Sequence, residues 1–414
     1  MKRTLIFAFI IILAVTAWSQ EQKTTLDGLV SLALERNPKL RALRDAAESR
    51  RTRIASQGAL PDPVVGFSLK NIGLSEITVG EEMMSGIGFS IVQAIPFPGK
   101  LRLKSEIASK EALVAEARLR LEELTLVREI KELYANLFYY EKSLALLEEK
   151  KGVLVKASKL AEIKYSVGEG IQSDIFKAQV EISGLEEMIL TMDQMSKTTK
   201  ANINSLLDFP SDRPLGSPEE IPVYEFKGEL NALIEAAVKN SPMLRERELM
   251  IEQGEKEVEM ARKEFYPNFM IQAGKDFKGP LPDMYEIMVG VEIPLFYKKK
   301  QANLLEESRL NLSSAKNSYG SARNDVSFMV NENFLMAKTS EDLIKLYKER
   351  IIPQATLALD SSLANYQVGR VDFLMLLSDI NSLFSFEMDY YKNLRGLWIS
   401  AARVEELTTA ELLK

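Results

Sequence analysis

Residues 26–40 read LDGLVSLALERNPKL and residues 230–244 read LNALIEAAVKNSPML, so one apolar spacing and one proline occur twice, 204 residues apart. The correspondence continues along the chain with small shifts. IPF at 95–97 matches IPL at 293–295, and YSVG at 165–168 matches YQVG at 366–369. Self-similarity of this kind predicts two copies of one structural unit.

The repetition defines the predicted domain organisation. A first repeat covers 20–209 and a second covers 228–407, with a short tail at 408–414. The segment between them, 210–227, contains four prolines, at 210, 214, 218 and 222, which is typical of an irregular linker.

Each repeat has the same predicted elements. In the first, helices over 26–36 and 38–59 precede two strands, a long helix over 100–167 and a helix over 171–207. In the second, the corresponding long helices are 242–265, 298–368 and 371–407. A helix of 68 residues would be about 102 Å long, so we expect it to pack antiparallel along shorter helices laid end to end.

A heptad pattern supports helix packing of this kind. In the first repeat the apolar residues seven apart are Leu119, Leu126, Leu133, Tyr140, Leu147 and Leu154. In the second the predicted series is Met329, Met336, Leu343 and Leu357, interrupted by Arg350. Pro353 is expected to bend that helix. A free dimeric coiled coil is an alternative on the helices alone, but the strands argue against it.

Four segments alternate apolar with small or polar residues, as half-buried or membrane strands do. The apolar sets are Val65, Phe67 and Leu69; Ile87, Phe89 and Ile91; Phe269, Ile271 and Ala273; and Tyr285, Ile287, Val289, Val291 and Ile293. The opposite faces carry Lys70, Glu286 and Glu292, which we assign to a wet lumen. An ordinary soluble sheet is the alternative. Four strands cannot close a barrel, so two chains would be needed for eight strands and three for twelve.

Composition excludes several function classes. The 414 residues include no cysteine and no histidine, which excludes thiol catalysis, serine–histidine triads, disulfides and imidazole metal sites. With 53 basic and 59 acidic residues the net charge is −6, and no basic block indicates nucleic-acid binding. No catalytic residue, metal ligand or cofactor site is predicted.

The N-terminus is typical of a signal peptide, predicted as residues 1–19. Lys2 and Arg3 precede an apolar run from Leu5 to Val15, and small residues at Ala17 and Ser19 favour cleavage after Ser19. The alternative, a membrane anchor, needs about 20 apolar residues, and this run is shorter. Loss of the two basic residues takes the net charge from −6 to −8.

The duplicated helix–strand–strand–helix–helix plan resembles the TolC family of outer-membrane efflux channels. The helix starts NPKL at 37–40 and SPML at 241–244, and the YxVG segments at 165–168 and 366–369, carry the resemblance. LPDP at 60–63 and IPFPGK at 95–100 look most like the heavy-metal branch.

The resemblance implies a mainly α protein with a small β part. Long antiparallel coiled-coil helices would form a trimeric α-barrel in the periplasm, with the linker in its equatorial region, and four strands per chain would join a twelve-stranded transmembrane β-barrel. It implies a homotrimer in outer-membrane lipid that serves as the passive conduit of a tripartite efflux or type I secretion system. A periplasmic adaptor and an inner-membrane pump would be its partners.

Two sets of site residues follow from the resemblance. The adaptor would dock at the periplasmic tip, at Tyr165, Gly168, Gly170, Tyr366 and Gly369. Family members often place aspartates six and nine residues after the second tip glycine, where this chain has Met375 and Ser378. The predicted pore constriction comprises Asp174, Asp372, Leu374, Met375, Ser378 and Asp379, with Leu377 as a further apolar candidate. Packing against neighbouring helices is the alternative role for all of them.

Two other functions are compatible with parts of the sequence pattern. A periplasmic adaptor is also exported and helical, but it normally has one hairpin within small β domains, whereas two hairpins are predicted here. A structural coiled-coil protein of the envelope should have no strands. An enzyme is not indicated, because scattered carboxylates on long helices are usually solvated.

Overall fold

The computed structural model describes residues 24–72 and 79–413, so the predicted signal peptide (1–19) lies outside the described residues. The described residues form two compact units. The first comprises 24–31, Leu133–Val223 and Arg350–Arg395; the second comprises 32–72, 79–132, Tyr224–Glu349 and 396–413. Each unit takes segments from both predicted repeats, so the repeat boundaries stay a prediction.

Nine α-helices and four strands make up the described chain. The helices are α1 (Leu26–Arg36), α2 (Pro38–Gly58), α3 (Lys100–Ser166), α4 (Gln172–Leu206), α5 (Leu230–Asn240), α6 (Pro242–Lys263), α7 (Gln301–Leu346), α8 (Ile352–Gln367) and α9 (Phe373–Thr408). The strands are β1 (Val64–Lys70), β2 (Gly86–Ile95), β3 (Asn268–Phe277) and β4 (Met284–Glu292). Most predicted boundaries agree within two or three residues.

The duplicated prolines begin helices, as predicted. Pro38 and Pro242 occupy the first turns of α2 and α6, where a proline needs no amide donor. The Asn37 side chain caps α2 by accepting hydrogen bonds from the amides of Lys39 (2.9 Å) and Leu40 (3.1 Å). Ser241, at the equivalent place before α6, makes no such side-chain bond. The two repeats therefore share the helix start but differ in its cap.

The long helix of the second repeat is not continuous. A π-helical turn, Tyr347–Ile351, separates α7 from α8, where one helix over 298–368 was expected. Pro353 lies two residues after this turn. Because proline has no N–H, one carbonyl of the preceding turn loses its hydrogen-bond donor, and a wider turn accommodates this loss. The π-helical turn lies next to the residue that is expected to bend the helix, and the bend itself stays a prediction. No helix in the described ranges is both long enough and apolar enough to cross a membrane.

The heptad prediction is confirmed in part. In α3, Leu126, Leu147 and Leu154 are buried and the other three positions are half-buried. In the second repeat Met329 and Leu343 are half-buried, but the prediction is wrong at Met336 and Leu357, which are exposed. The buried stripe of α7 has another phase, in which small or polar residues alternate with branched aliphatic ones: Ala322, Val326, Val330, Asn333, Ala337 and Ile344.

The four strands form one antiparallel sheet in the order β1-β2-β3-β4, within the second unit. The register places Gly66, Ser90, Gly274 and Glu286 side by side on one face. The opposite face is largely exposed and apolar except for Lys275, and Phe67, Phe89 and Phe277 make edge contacts in sequence across it. The predicted alternation is confirmed, and the sheet leaves its apolar face uncovered within one chain.

The part of the linker in the first unit is irregular, as predicted, and is fastened by polar contacts. The amide of Thr24 donates to the carbonyl of Ser217 (2.9 Å). The hydroxyl of Tyr134 donates to the carbonyl of Thr24 (3.0 Å) and accepts the amide of Glu219 (2.8 Å). One buried tyrosine thus holds both the start of the described chain and the linker.

Candidate functional site

The two predicted tips have the same turn. Gly168 and Gly369 both have positive φ, +80° and +71°, at the ends of α3 and α8. At the first tip, the amide of Gly168 donates to Tyr165 and that of Glu169 donates to Lys164. At the second, the amides of Gly369 and Arg370 donate to Tyr366 and Asn365. Both turns therefore close the helix end in the same way, which a residue with positive φ permits.

The tips present apolar side chains to their surroundings. Tyr165 is half exposed, and Val167, Ile171 and Val368 are more than half exposed. Tyr366 is only 4% exposed, and its ring packs 5.6 Å from that of Phe373. A docking contact through the ring of Tyr366 is therefore not supported, because the ring stabilises the turn from inside. Gly170 also serves the turn, since a Cβ there would lie 3.0 Å from the Cβ of Lys164.

Lys164 is a tip residue that the sequence did not indicate. Its side chain is 9% exposed, lies against the ring of Tyr366 and reaches Glu169 at 3.9 Å. A lysine near the end of a helix usually points to solvent, so a sequence pattern offers no signal for this burial.

The three aspartates of the predicted constriction have separate partners. Asp372 accepts the amide of Met375 (2.8 Å) and so caps the start of α9. Asp379 accepts a hydrogen bond from the hydroxyl of Ser362 on α8. Asp174 is half-buried; burial raises the pKa of its carboxyl, Lys177 at 3.9 Å partly offsets this, and the charge of Asp372 adds to the rise. Asp372 and Asp379 are therefore engaged within the chain.

The apolar candidates divide by exposure. Leu374 and Met375 are 52% and 54% exposed, whereas Leu377 is buried with Leu376 and Ile380 in the core of the first unit. Leu377 therefore has the alternative role of packing in the core, and it also lines the groove described next. Ser378 continues the exposed line into a shallow groove along α9, lined also by Asn381, Ser382, Ser385 and Phe386. The groove is lined by aliphatic, aromatic, amide and hydroxyl groups, and Asp379 lines the adjoining groove together with Ser382 and Phe386.

The predicted lumen residues lie on the polar face of the sheet. The ammonium group of Lys70 is 2.7 Å from Asp276 and 3.7 Å from Glu286. Glu292 accepts a hydrogen bond from the side chain of Asn268 (3.1 Å). Asp276 and Asn268 were missed because the third strand was predicted too short at both ends. Among the described residues, no group of three or more carboxylates is arranged to hold a metal ion.

The described residues thus include a sheet with one apolar and one polar face, and two helix ends closed by the same turn. The model of the outer membrane efflux protein family matches residues 29–207 and 233–408, so the chain belongs to that family. A search among proteins with curated descriptions finds no sequence match.

Solved outer-membrane proteins share the fold. CusC matches with a TM-score of 0.79 at 16% identity, over 94% of this chain and 92% of its own. VceC from Vibrio cholerae matches with a TM-score of 0.78 at 17% identity, over 94% and 96%. The open state of the MtrE channel from Neisseria gonorrhoeae gives 0.74 at 17%, over 94% and 89%.

The chain is therefore an outer-membrane channel component of a tripartite efflux system, located in the outer membrane and extending into the periplasm. It is a transport conduit and not an enzyme. Proteins of the family work with periplasmic adaptors and inner-membrane pumps. Family membership excludes the alternatives of an adaptor and of a free coiled coil.

Proposed function

We propose that three copies of this chain form one channel, in which their sheets join as a twelve-stranded barrel. The observation that supports this most directly is the sheet itself. β1 and β4 are its two edges, and neither has a further strand partner among the described residues. Open edges are not tolerated in lipid, and their unpaired backbone groups are satisfied when β1 of one copy pairs with β4 of the next.

Within this trimer we assign roles to the candidate residues. Tyr165, Val167, Ile171 and Val368 meet the adaptor, while Gly168, Gly369 and Gly170 shape the turns that present them. Leu374 and Met375 narrow the pore by apolar contact and dewetting. Lys70, Glu286 and Glu292 face the barrel lumen. The assignment to the heavy-metal branch stays a prediction, since CusC at 16% identity shares the fold alone.

Cysteine cross-linking tests the trimer cleanly because the chain has no native cysteine. Ser68→Cys on β1 is combined in turn with Glu286→Cys, Met288→Cys or Gly290→Cys on β4. Within one sheet these edges are about 14 Å apart, three strand spacings, so any disulfide must join two copies. On a denaturing gel without reductant, we expect cross-linked species of up to three chains. Each single-cysteine variant should give at most dimers. A ladder that ends at two, or continues past three, contradicts the proposal.

A further inference from the structure

The apolar face of β4 extends to Ile293, just beyond the strand, and a turn follows in which the amide of Leu295 donates to the carbonyl of Ile293 (2.9 Å). Alternate side chains from Tyr285 to Leu295 are all exposed, between 50% and 81%. The eight residue steps from Tyr285 to Ile293 at about 3.3 Å, inclined by about 40°, give a height of about 20 Å, so the turn that follows lies near the edge of an apolar band of about 25 Å. The side chains that follow Leu295 therefore fall at the level of the lipid headgroups.

Three consecutive lysines stand at that level. Lys298, Lys299 and Lys300 are exposed and follow the exposed Phe296 and Tyr297 directly. In the described part of the chain, no carboxylate lies within ion-pair distance of any of the three. Within the described ranges, this run of positive charge in an acidic protein therefore lacks an ion-pair partner.

The corresponding strand-to-helix junction of the first repeat is closed by internal contacts. There Lys100 is 2% exposed, and its ammonium group contacts Glu264 (3.0 Å) and Asn268 (2.9 Å). Phe97, which corresponds to Leu295, stacks on Tyr266 at 4.5 Å. The same junction in the second repeat is instead open, with its apolar and basic side chains turned outward.

The three lysines lie where positive charge does not stabilise the folded chain. They immediately precede α7, which begins at Gln301, and positive charge at a helix N-terminus opposes the helix dipole. The same arrangement attracts anions, since the first amides of the helix and the lysines act in the same direction. Tyr297, whose ring lies 6.4 Å from that of Phe265, is the kind of side chain that occupies a membrane interface.

We propose that Leu295 and Phe296 enter the acyl region of the periplasmic leaflet and that Lys298, Lys299 and Lys300 bind the phosphates of anionic phospholipids such as phosphatidylglycerol. The inference rests on the outer-membrane location of the protein. Because the lysines lie beside an exposed apolar pair, the expected ligand is an anionic amphiphile. A soluble anion would bind the lysines but leave Leu295 and Phe296 in water. A neighbouring protomer or an adaptor covering this segment is the competing outcome.

The test uses Phe296→Trp as a reporter in nanodiscs that contain brominated phosphatidylglycerol or brominated phosphatidylcholine. Trp398 is buried, so brominated lipid should not quench its emission and the lipid-dependent signal comes from the reporter; Trp18 lies in the predicted signal peptide. Each lysine near an anionic surface contributes roughly fivefold in affinity, so quenching titrations should show at least a tenfold preference for phosphatidylglycerol. Equal quenching by both lipids overturns the proposal, and so does an absence of quenching by either, which would place the introduced indole ring outside lipid.

Charge variants in the same background identify the residues. K298Q/K299Q/K300Q should abolish the preference, and K298R/K299R/K300R should keep it. The matched control K239Q/K345Q/K348Q removes three exposed lysines elsewhere and should leave it unchanged. A preference that survives the first variant overturns the proposal. If that variant fails to assemble, the protein that carries only Phe296→Trp is titrated at two salt concentrations. Raising NaCl from about 0.05 to about 0.5 M should remove the preference for phosphatidylglycerol, and a preference that persists overturns the proposal.

Discussion

The ammonium group of Lys164, at the end of α3, lies 5.4 Å from the centre of the Tyr366 ring, at the end of α8. The two residues belong to different tips, and both side chains are almost completely buried. A cation over an aromatic ring is favourable, more so when water is excluded. This contact therefore joins the two turns of one protomer.

Loss of the contact should loosen both tips together. Lys164→Met should raise amide exchange at 165–170 and at 366–370 by roughly fivefold, equivalent to about 1 kcal/mol for a desolvated cation–π pair. The control Lys156→Met, an exposed lysine on the same helix, should change neither turn. An effect confined to the first turn would show that Lys164 does not connect them.

Gly168 should be essential for its backbone conformation alone. Its φ of +80° is unfavourable for other residues, although nothing lies within 4 Å of a Cβ built there. Gly168→Val should abolish export while the trimer still assembles, measured by substrate accumulation and by native gels. Gly184→Val is matched, since Gly184 also has open space but lies within α4, where valine is tolerated. Export that persists in Gly168→Val would show that the tips are not the docking end.

The constriction should respond weakly to trivalent cations. Asp372 and Asp379 are engaged within the chain, while Met375 is exposed and uncharged. Met375→Asp should create strong block in single-channel recordings, because three carboxylates would then face one another across a narrow axis. Met375→Asn, polar but uncharged, should not. Tight block of the unmodified channel would show that native aspartates already form a ring.

Asp174 should make the tip region more stable in acid than at neutral pH. Its pKa is raised in the folded protein above the ordinary value of 3.8, chiefly by burial. The protonated group therefore favours folding below pH 3.8, and this contribution is lost as the pH rises through the raised pKa. Asp174→Asn should raise the melting temperature at pH 7, and the gain should vanish near the ordinary pKa. Asp360→Asn, on an exposed site of α8, is the control; equal gains from both would contradict the assignment.

Lys70 should moderate the cation selectivity of the barrel. It lies between Asp276 and Glu286 on the polar face, so Lys70→Gln should raise the ratio of cation to anion permeability in reversal-potential measurements. Lys275 is a matched control on the opposite face, where it pairs with Asp283. Lys275→Gln should leave selectivity unchanged. A larger effect from Lys275 would reverse the assignment of the two faces.

The sequence predicted what depends on local chain properties. Prolines, glycines and period-two alternation act within a few residues, so helix starts, tips and strands were placed closely. Prediction from the sequence failed where the burial of a side chain depends on residues that are distant along the chain. The packing face of α7 carries Ala322, Asn333 and Ala337, so its larger apolar residues misled the heptad assignment. The burial of Lys164 depends on Tyr366, about 200 positions away, and no local pattern records that contact.

The π-helical turn before Pro353 gives the chain a place to absorb changes in length. α7, this turn and α8 contain 46, 5 and 16 residues, which together equal the 67 of α3. Deleting one residue inside α3 would rotate everything after it by about 100° around the helix axis. A wide turn holds one residue more than a regular one, so a deletion within Tyr347–Ile351 can be taken up by its reversion to α-helix. A one-residue deletion should therefore be tolerated here and should disrupt the packing in α3.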